Sequence, residues 1–407
     1  MRLLNTFLRL SPSIIRLCVI SYLFASKNDT ILYEFSLLSG LVLGCVIFVS
    51  LDLYHKLMLL VPTVKSKRFI SIINTRYLEL QLIMGIIGVF IFYFFVLWSN
   101  INLNIYLIAI FYLGEHLIIE LGRILRVNEK IITASFLDFI RTIVFAFLLL
   151  IGSLYELTTS YLIFAYSLSI FMCLFFLRKK IKTDLLLHFN IKINHFSLTR
   201  VLNMFKKLID FKILFLLAGT VFLRYMQVFD KKLINDYIDT ETAARWAVFL
   251  GLSMFVYRFI DSFSFQFLTP KLIRINSENK KSNFFKIEII KVFGLTILLL
   301  LITYFLGLIY IQVLRPEVLK YYKFEMPYVL FTVFSYIFYL TATINVYSKG
   351  KLFIYSLFKN LTLVLFLLII NYALSSYSIK LFALTIGGIY MLLGIVLYIY
   401  TFIIKNK

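Results

Sequence analysis

Residues 114 to 125 read GEHLIIELGRIL, which sets Glu115, His116, Glu120 and Arg123 in a stretch otherwise apolar enough to lie in a bilayer. A histidine flanked by carboxylates could perform acid–base chemistry, and EHLIIE superficially matches the helical HExxH zinc motif. That motif needs a second histidine four residues on, where this chain has Glu120, and the remaining histidines, His55, His188 and His195, fall in polar stretches. Metal catalysis is therefore set aside, and neither a metal nor a cofactor is expected. Each ionisable group at the centre of a bilayer costs about 2.5–3.5 kcal/mol on insertion scales, so these residues need partners or a watery cavity. On a helix rising about 1.5 Å per residue, Glu115 lies about 12 Å deeper than Arg123. Glu120 and Arg123 are i,i+3 and read as an ion pair at the cytoplasmic helix end. Glu115 and His116 have no such local explanation.

The elements that must carry them are membrane helices. The chain has 407 residues, 61% of them hydrophobic and 15% charged, with a mean hydropathy of +0.93. Those values exclude an ordinary soluble domain. A window of about 20 apolar residues gives candidate spans at 9–26, 31–51, 77–98, 103–125, 131–153, 157–177, 211–230, 243–268, 288–314, 326–347, 352–374 and 379–404. The first follows Arg2 and Arg9 as a signal peptide would, but no small-residue cleavage site comes after it, so it reads as a retained helix. Cys18, Cys45 and Cys173 lie inside spans at no metal-like spacing.

The net charge of +22 would suggest nucleic acid in a soluble protein, but Lys and Arg cluster beside apolar spans, where they set topology. Of the 42 basic residues, 29 fall on the side that holds both termini and the 178–212 stretch, 8 on the other, and 5 inside spans. The positive-inside rule puts both termini in the cytoplasm, and an even number of spans agrees. The expected partners include membrane lipids and exclude nucleic acid. The fold class is all-α, with about 12 transmembrane helices in two six-helix lobes, 1–177 and 211–407, joined by a basic amphipathic linker at 178–210. Two such halves match the general build of alternating-access transporters.

Charges inside the spans favour transport over catalysis. Arg16, Arg141, Arg224, Arg258 and Lys359 place cations in both halves. A cavity rich in guanidinium groups suits an anionic substrate, whose phosphate oxygens arginine binds in bidentate fashion. Asp138 with Arg141, and Arg258 with Asp261, are also i,i+3 neighbours that could neutralise each other, and Arg16 could snorkel to the interface. Arg224 and Lys359 have no acidic residue within a turn on the same face; Asp230 is more distant. The outer connections are short, which leaves little room for a sugar-transferring active site, and DYIDTE reads as a solvated acidic turn.

The stretch FYLGEHLIIELGRILRVNEKIITASFLDFIRT resembles the fourth-to-fifth-helix signature of bacterial O-antigen and polysaccharide flippases, through Glu115, His116, Leu117, Glu120, Arg123, Leu125 and Arg141. The second span with its exit through Leu51, Asp52 and Tyr54 is similar to the same family, as is the segment holding Asp230, Lys231 and Pro270. Two departures stand out: Trp246 in place of an expected tyrosine, and Gly122 inside the signature. The resemblance implies the multidrug, oligosaccharidyl-lipid and polysaccharide exporter superfamily, with lobes around a central cationic cavity. It further implies translocation of a polyprenyl diphosphate-linked oligosaccharide to the periplasmic leaflet, without enzymatic bond chemistry and alongside polysaccharide polymerase machinery. Arg224, Lys359, Arg141, Arg258 and Arg16 are then the expected substrate-binding residues. Glu115, His116, Asp138, Asp261 and Asp230 are the expected gating or coupling residues. The competing expectations are a drug or metabolite exporter of the same superfamily and a membrane enzyme of polysaccharide assembly.

Overall fold

The computed structural model describes residues 2–50, 66–154, 157–185, 230–265, 284–348 and 378–405, with scattered positions in 53–61, 268–272 and 354–365. The described chain is helical throughout. We label its long helices α1 (Arg2–Ala25), α2 (Asp29–Val49), α3 (Lys67–Trp98), α4 (Ile105–Val127), α5 (Ile131–Gly152), α6 (Thr159–Asp184), α7 (Thr240–Ile260), α8 (Phe284–Leu314), α9 (Leu319–Ser348) and α10 (Ile379–Lys405). Among the described residues, nine helices are long and apolar enough to cross a membrane, and α1 adds a shorter apolar stretch, Leu10–Ala25. This is a multi-pass membrane protein. Ten of the twelve expected spans coincide with these helices, and those at 211–230 and 352–374 lie almost wholly outside the described residues.

Local sequence explains where the helices begin and end. Ser66, Asn104, Thr158 and Asp239 cap α3, α4, α6 and α7 by accepting from backbone amides in the first turn. The chain leaves α1, α3 and α4 through Lys27, Asn100 and Glu129, all at positive φ. Backbone bonds from Asn28 to the Leu23 carbonyl and from Lys130 to the Leu125 carbonyl close two of these ends in the six-to-one pattern of a left-handed cap. Helix α3 starts ten residues before its expected span, because Ser66 nucleates a polar turn that runs on from the membrane segment. Helix α9 likewise continues through Pro327, near its start. Helix α7 passes into a π-helical turn at Asp261–Phe265.

The chain forms two compact units. One comprises Phe7–Ile15 and Glu34–Leu217; within it α3 packs on α4, α4 on α5 and α6, and α5 on α6. Its core is aromatic, with Phe111 and Phe145 both edge-on to Tyr166 at centroid separations of 5.6 and 4.9 Å. The other comprises Met1–Thr6, Arg16–Tyr33 and Ala218–Lys407; within it α9 packs along α10, α8 on α9, and α7 on both α8 and α9. The α9–α10 seam is close because two glycines of α10 lie against it. A Cβ at Gly387 would come within 3.2 Å of the Thr332 Cα, and one at Gly394 within 3.3 Å of the Tyr339 Cα. One turn before Gly387, the Thr332 hydroxyl donates to the Ala383 carbonyl across the seam at 2.8 Å. In the same unit Arg315 meets Asp29 at 2.8 Å and stacks on the Phe24 ring, while Lys27 reaches Glu317 at 3.2 Å.

Candidate functional site

Helix α4 turns its ionisable residues toward two neighbours. Glu115 faces α5, where its carboxylate accepts from Arg141 Nη1 at 2.8 Å. Both side chains are under a tenth exposed. Asp138 lies 3.5 Å from the other terminal nitrogen of Arg141 and 3.6 Å from Arg126. Arg141 also sits over the Tyr166 ring, 5.4 Å from its centroid. The expected pair between Asp138 and Arg141 is therefore present, but the closer and more deeply buried partner of Arg141 is Glu115, on the next helix. Sequence spacing along one helix cannot reveal a partner carried by another.

His116 faces α3. Its Nε2 lies 2.8 Å from the Gln81 carbonyl, and the ring is 1% exposed. One turn toward the helix end, Glu120 is fully buried, accepting from the Tyr77 hydroxyl at 2.6 Å and from Arg123 at 2.5 Å. Arg123 also donates to the Ser50 hydroxyl at 3.1 Å. The expected ion pair exists, and it is buried, with side chains 11% and 0% exposed. Sequence reading missed Tyr77 and Gln81. The available signal was a neutral amide four positions after a tyrosine near the start of an apolar span, followed by Gly85 and Gly88 four and seven positions further on.

A second cluster lies in the other unit, where helical residues 230–237 meet α7. Asp230 is 2% exposed, accepting from Trp246 Nε1 at 2.6 Å and from Lys231 Nζ at 3.0 Å. The tryptophan that departs from the resemblance thus supplies an indole donor to the aspartate. A cavity of about 60 Å³ opens beside them, lined by Asp230, Trp246, Met254, Thr332, Tyr336 and Tyr390 among others. That volume holds a few waters and is well short of a drug-sized pocket of about 300–1,000 Å³. Replacing Trp246 by Phe keeps an aromatic ring but removes the donor to a buried carboxylate, a loss of about 1.5–3 kcal/mol for a bond to a charged group. The expected result is a lower unfolding temperature of purified W246F in detergent, with Asp230→Asn in the same background recovering part of it.

The remaining expected residues divide. Arg258 is exposed on α7, and Asp261 is half-buried at the first position of the π-helical turn. Arg16 lies in α1, but its side chain falls outside the described residues, as do Arg224 and Lys359 entirely. No group of three or more metal-ligating side chains occurs among the described residues.

The fold is that of the MATE transporters. A multidrug resistance MATE family transporter of the MOP superfamily, solved in an inward-facing conformation, is similar at a TM-score of 0.67 and 13% identity, over 97% of this chain and 93% of that one. A mutant of the Vibrio cholerae MATE transporter VcmN is similar at 0.64 and 11% identity, over 100% of this chain and 97% of that one. A MATE transporter solved in complex with MaL6 is similar at 0.63 and 11%, over 98% and 94%. At such identities the likeness establishes the fold. A scan against protein-family models found no match, and a search of curated proteins found none.

Proposed function

We propose that the chain is a membrane transporter that moves its cargo by alternating access, in a bacterial inner membrane with both termini cytoplasmic. The observation that carries this reading is a MATE fold matched over almost the whole of both chains. Proteins of that fold have been solved in inward-facing and outward-facing conformations. The work is translocation, with no covalent bond made or broken.

For the cargo, the comparisons back a drug or metabolite exporter better than the flippase, because a likeness described as multidrug resistance spans the chain. The flippase reading keeps an observation of its own. The deep carboxylates Glu115, Glu120 and Asp230 are each met by a basic side chain, at 2.8, 2.5 and 3.0 Å, so none of the three stands as a bare anion for a cationic drug. With the cations of both halves added, that charge pattern fits an anionic amphiphile such as a polyprenyl diphosphate-linked oligosaccharide. Arg224, Lys359, Arg141, Arg258 and Arg16 are then its proposed diphosphate partners, and polymerase machinery its proposed neighbour.

One reconstitution separates the readings. Proteoliposomes are assayed in parallel for leaflet exchange of a fluorescent lipid-linked oligosaccharide and for uptake of a fluorescent organic cation. Acceleration of lipid exchange alone assigns the flippase, with Arg224→Gln and Lys359→Gln lowering the rate at unchanged protein abundance. Cation uptake alone assigns the drug exporter. Acceleration of neither removes the transporter reading.

A further inference from the structure

The seam between α3 and α4 contains polar atoms that the protein does not satisfy. The side-chain amide of Gln81 has neither its nitrogen nor its oxygen bonded, and the Nδ1 of His116 and the hydroxyl of Tyr112 are also without a protein partner. These three residues are 0%, 1% and 0% exposed. Leaving a buried donor or acceptor unmade costs about 1–3 kcal/mol each, so these four atoms call for partners that the protein itself does not supply. A buried water bonding to two or more of them is the usual solution in protein interiors.

The geometry also fixes the histidine tautomer. A carbonyl only accepts, so the Nε2 that faces Gln81 at 2.8 Å carries the hydrogen. In the neutral ring, Nδ1 then holds a lone pair. It is a basic nitrogen, buried, with no donor on it. Gly85 lets the ring lie close against α3, since a Cβ there would stand 3.0 Å from His116 Cδ2. The Tyr112 ring lies 5.9 Å from the imidazole, and its hydroxyl reaches Gly88. Polar groups therefore line the seam from Glu120 to Tyr112, about 12 Å along α4 at about 1.5 Å per residue.

We propose that the α3–α4 seam is a hydrated proton-binding site centred on His116 Nδ1. A proton delivered through water forms a bond to the Nδ1 lone pair, while the Nε2 hydrogen stays on the Gln81 carbonyl. The imidazolium so formed lies one turn from Glu120 on the same face. The other groups around it are accounted for. Glu120 is shared by Tyr77 of α3 and Arg123 of α4, and Glu115 is held by Arg141 of α5. Ser50, just past the end of α2, accepts from Arg123, α2 itself carries the buried Cys45 thiol, and α6 presents the apolar Ile170 at Gly114. On the transporter reading the site would make transport responsive to pH. The site itself is tested without cargo, so it can fail while that reading stands.

The test uses full-length protein with ¹⁵N-labelled histidine in lipid nanodiscs, followed by solid-state NMR from pH 8.5 to 5. H116Q identifies the resonances of His116 among the four histidines. The expected result is an Nε2-protonated neutral ring at high pH. It gains a proton on Nδ1 as pH falls and exchanges magnetisation with water. Gln81→Leu, which deletes two of the unsatisfied atoms without requiring new ones, is expected to move the midpoint by about 1 pH unit, a tenfold change in proton affinity. A ring that stays neutral through pH 5 would overturn the proposal. So would an Nδ1-protonated tautomer at high pH, or no contact with water. An unchanged midpoint in Q81L would remove the shared hydration on which it stands.

Discussion

Arg141→Met is expected to destabilise the protein by about 3–5 kcal/mol, the usual consequence of removing one partner of a buried pair and stranding the other charge. The charge left behind is Glu115, whose side chain is 6% exposed beside an arginine that is 8% exposed. Asp138 keeps Arg126 at 3.6 Å when Arg141 is gone, so its loss of a partner adds little. Glu115→Gln in the same molecule removes the stranded charge, and the double variant E115Q/R141M is expected to recover most of the loss. Thermal unfolding of the four proteins in one detergent closes the cycle. Equal unfolding temperatures for R141M and the double variant would show that the pair does not carry the local stability. If Arg141 is also a cargo ligand, the double variant will fold yet fail to transport, which separates the structural from the functional contribution.

The second large effect falls on the α9–α10 seam. Gly387→Leu and Gly394→Leu each drive a side chain into backbone that cannot move aside, since the nearest main-chain atoms lie at 3.2 and 3.3 Å from a Cβ built there. Overpacking of this kind costs about 1–3 kcal/mol per site, and the two sites sit two turns apart on the same face. Together they are expected to abolish the monodisperse peak of the detergent-purified protein in size-exclusion chromatography. Gly388 provides the control, because a Cβ there meets nothing within 4 Å. G388L should elute as the native protein does, and an equal loss in G388L would point to helix propensity rather than packing.

The sequence made the helices legible because a bilayer demands long apolar runs, and such runs can be counted. It also exposed the residues that must be explained, since charge inside an apolar run is conspicuous. Pairing was harder. Glu115 and Arg141 are 26 positions apart, and Asp230 and Trp246 are 16 apart, separations that no helical period connects. Glu120 and Arg123 could be paired from sequence because both lie on one helix face, but not the burial that Tyr77 of α3 imposes on them. Gln81 escaped notice because a neutral amide raises no alarm in a charge count, although burying it unbonded is costly. Arg224 and Lys359 stood out in the sequence and lie outside the described residues, so the cargo question passes to their variants.

Glu115 and His116 are consecutive, and successive side chains on an α-helix point about 100° apart. One is fastened to α5 and the other to α3 at the same height along α4. A helix fastened on one side alone can roll about its own axis by a few degrees at small cost. Fastened on two sides at one level, α4 cannot roll in either direction without lengthening one of the two bonds. Any motion that this half of the protein makes at that depth must therefore carry α3, α4 and α5 together as a block, with the hinge placed beyond the ends of the three helices.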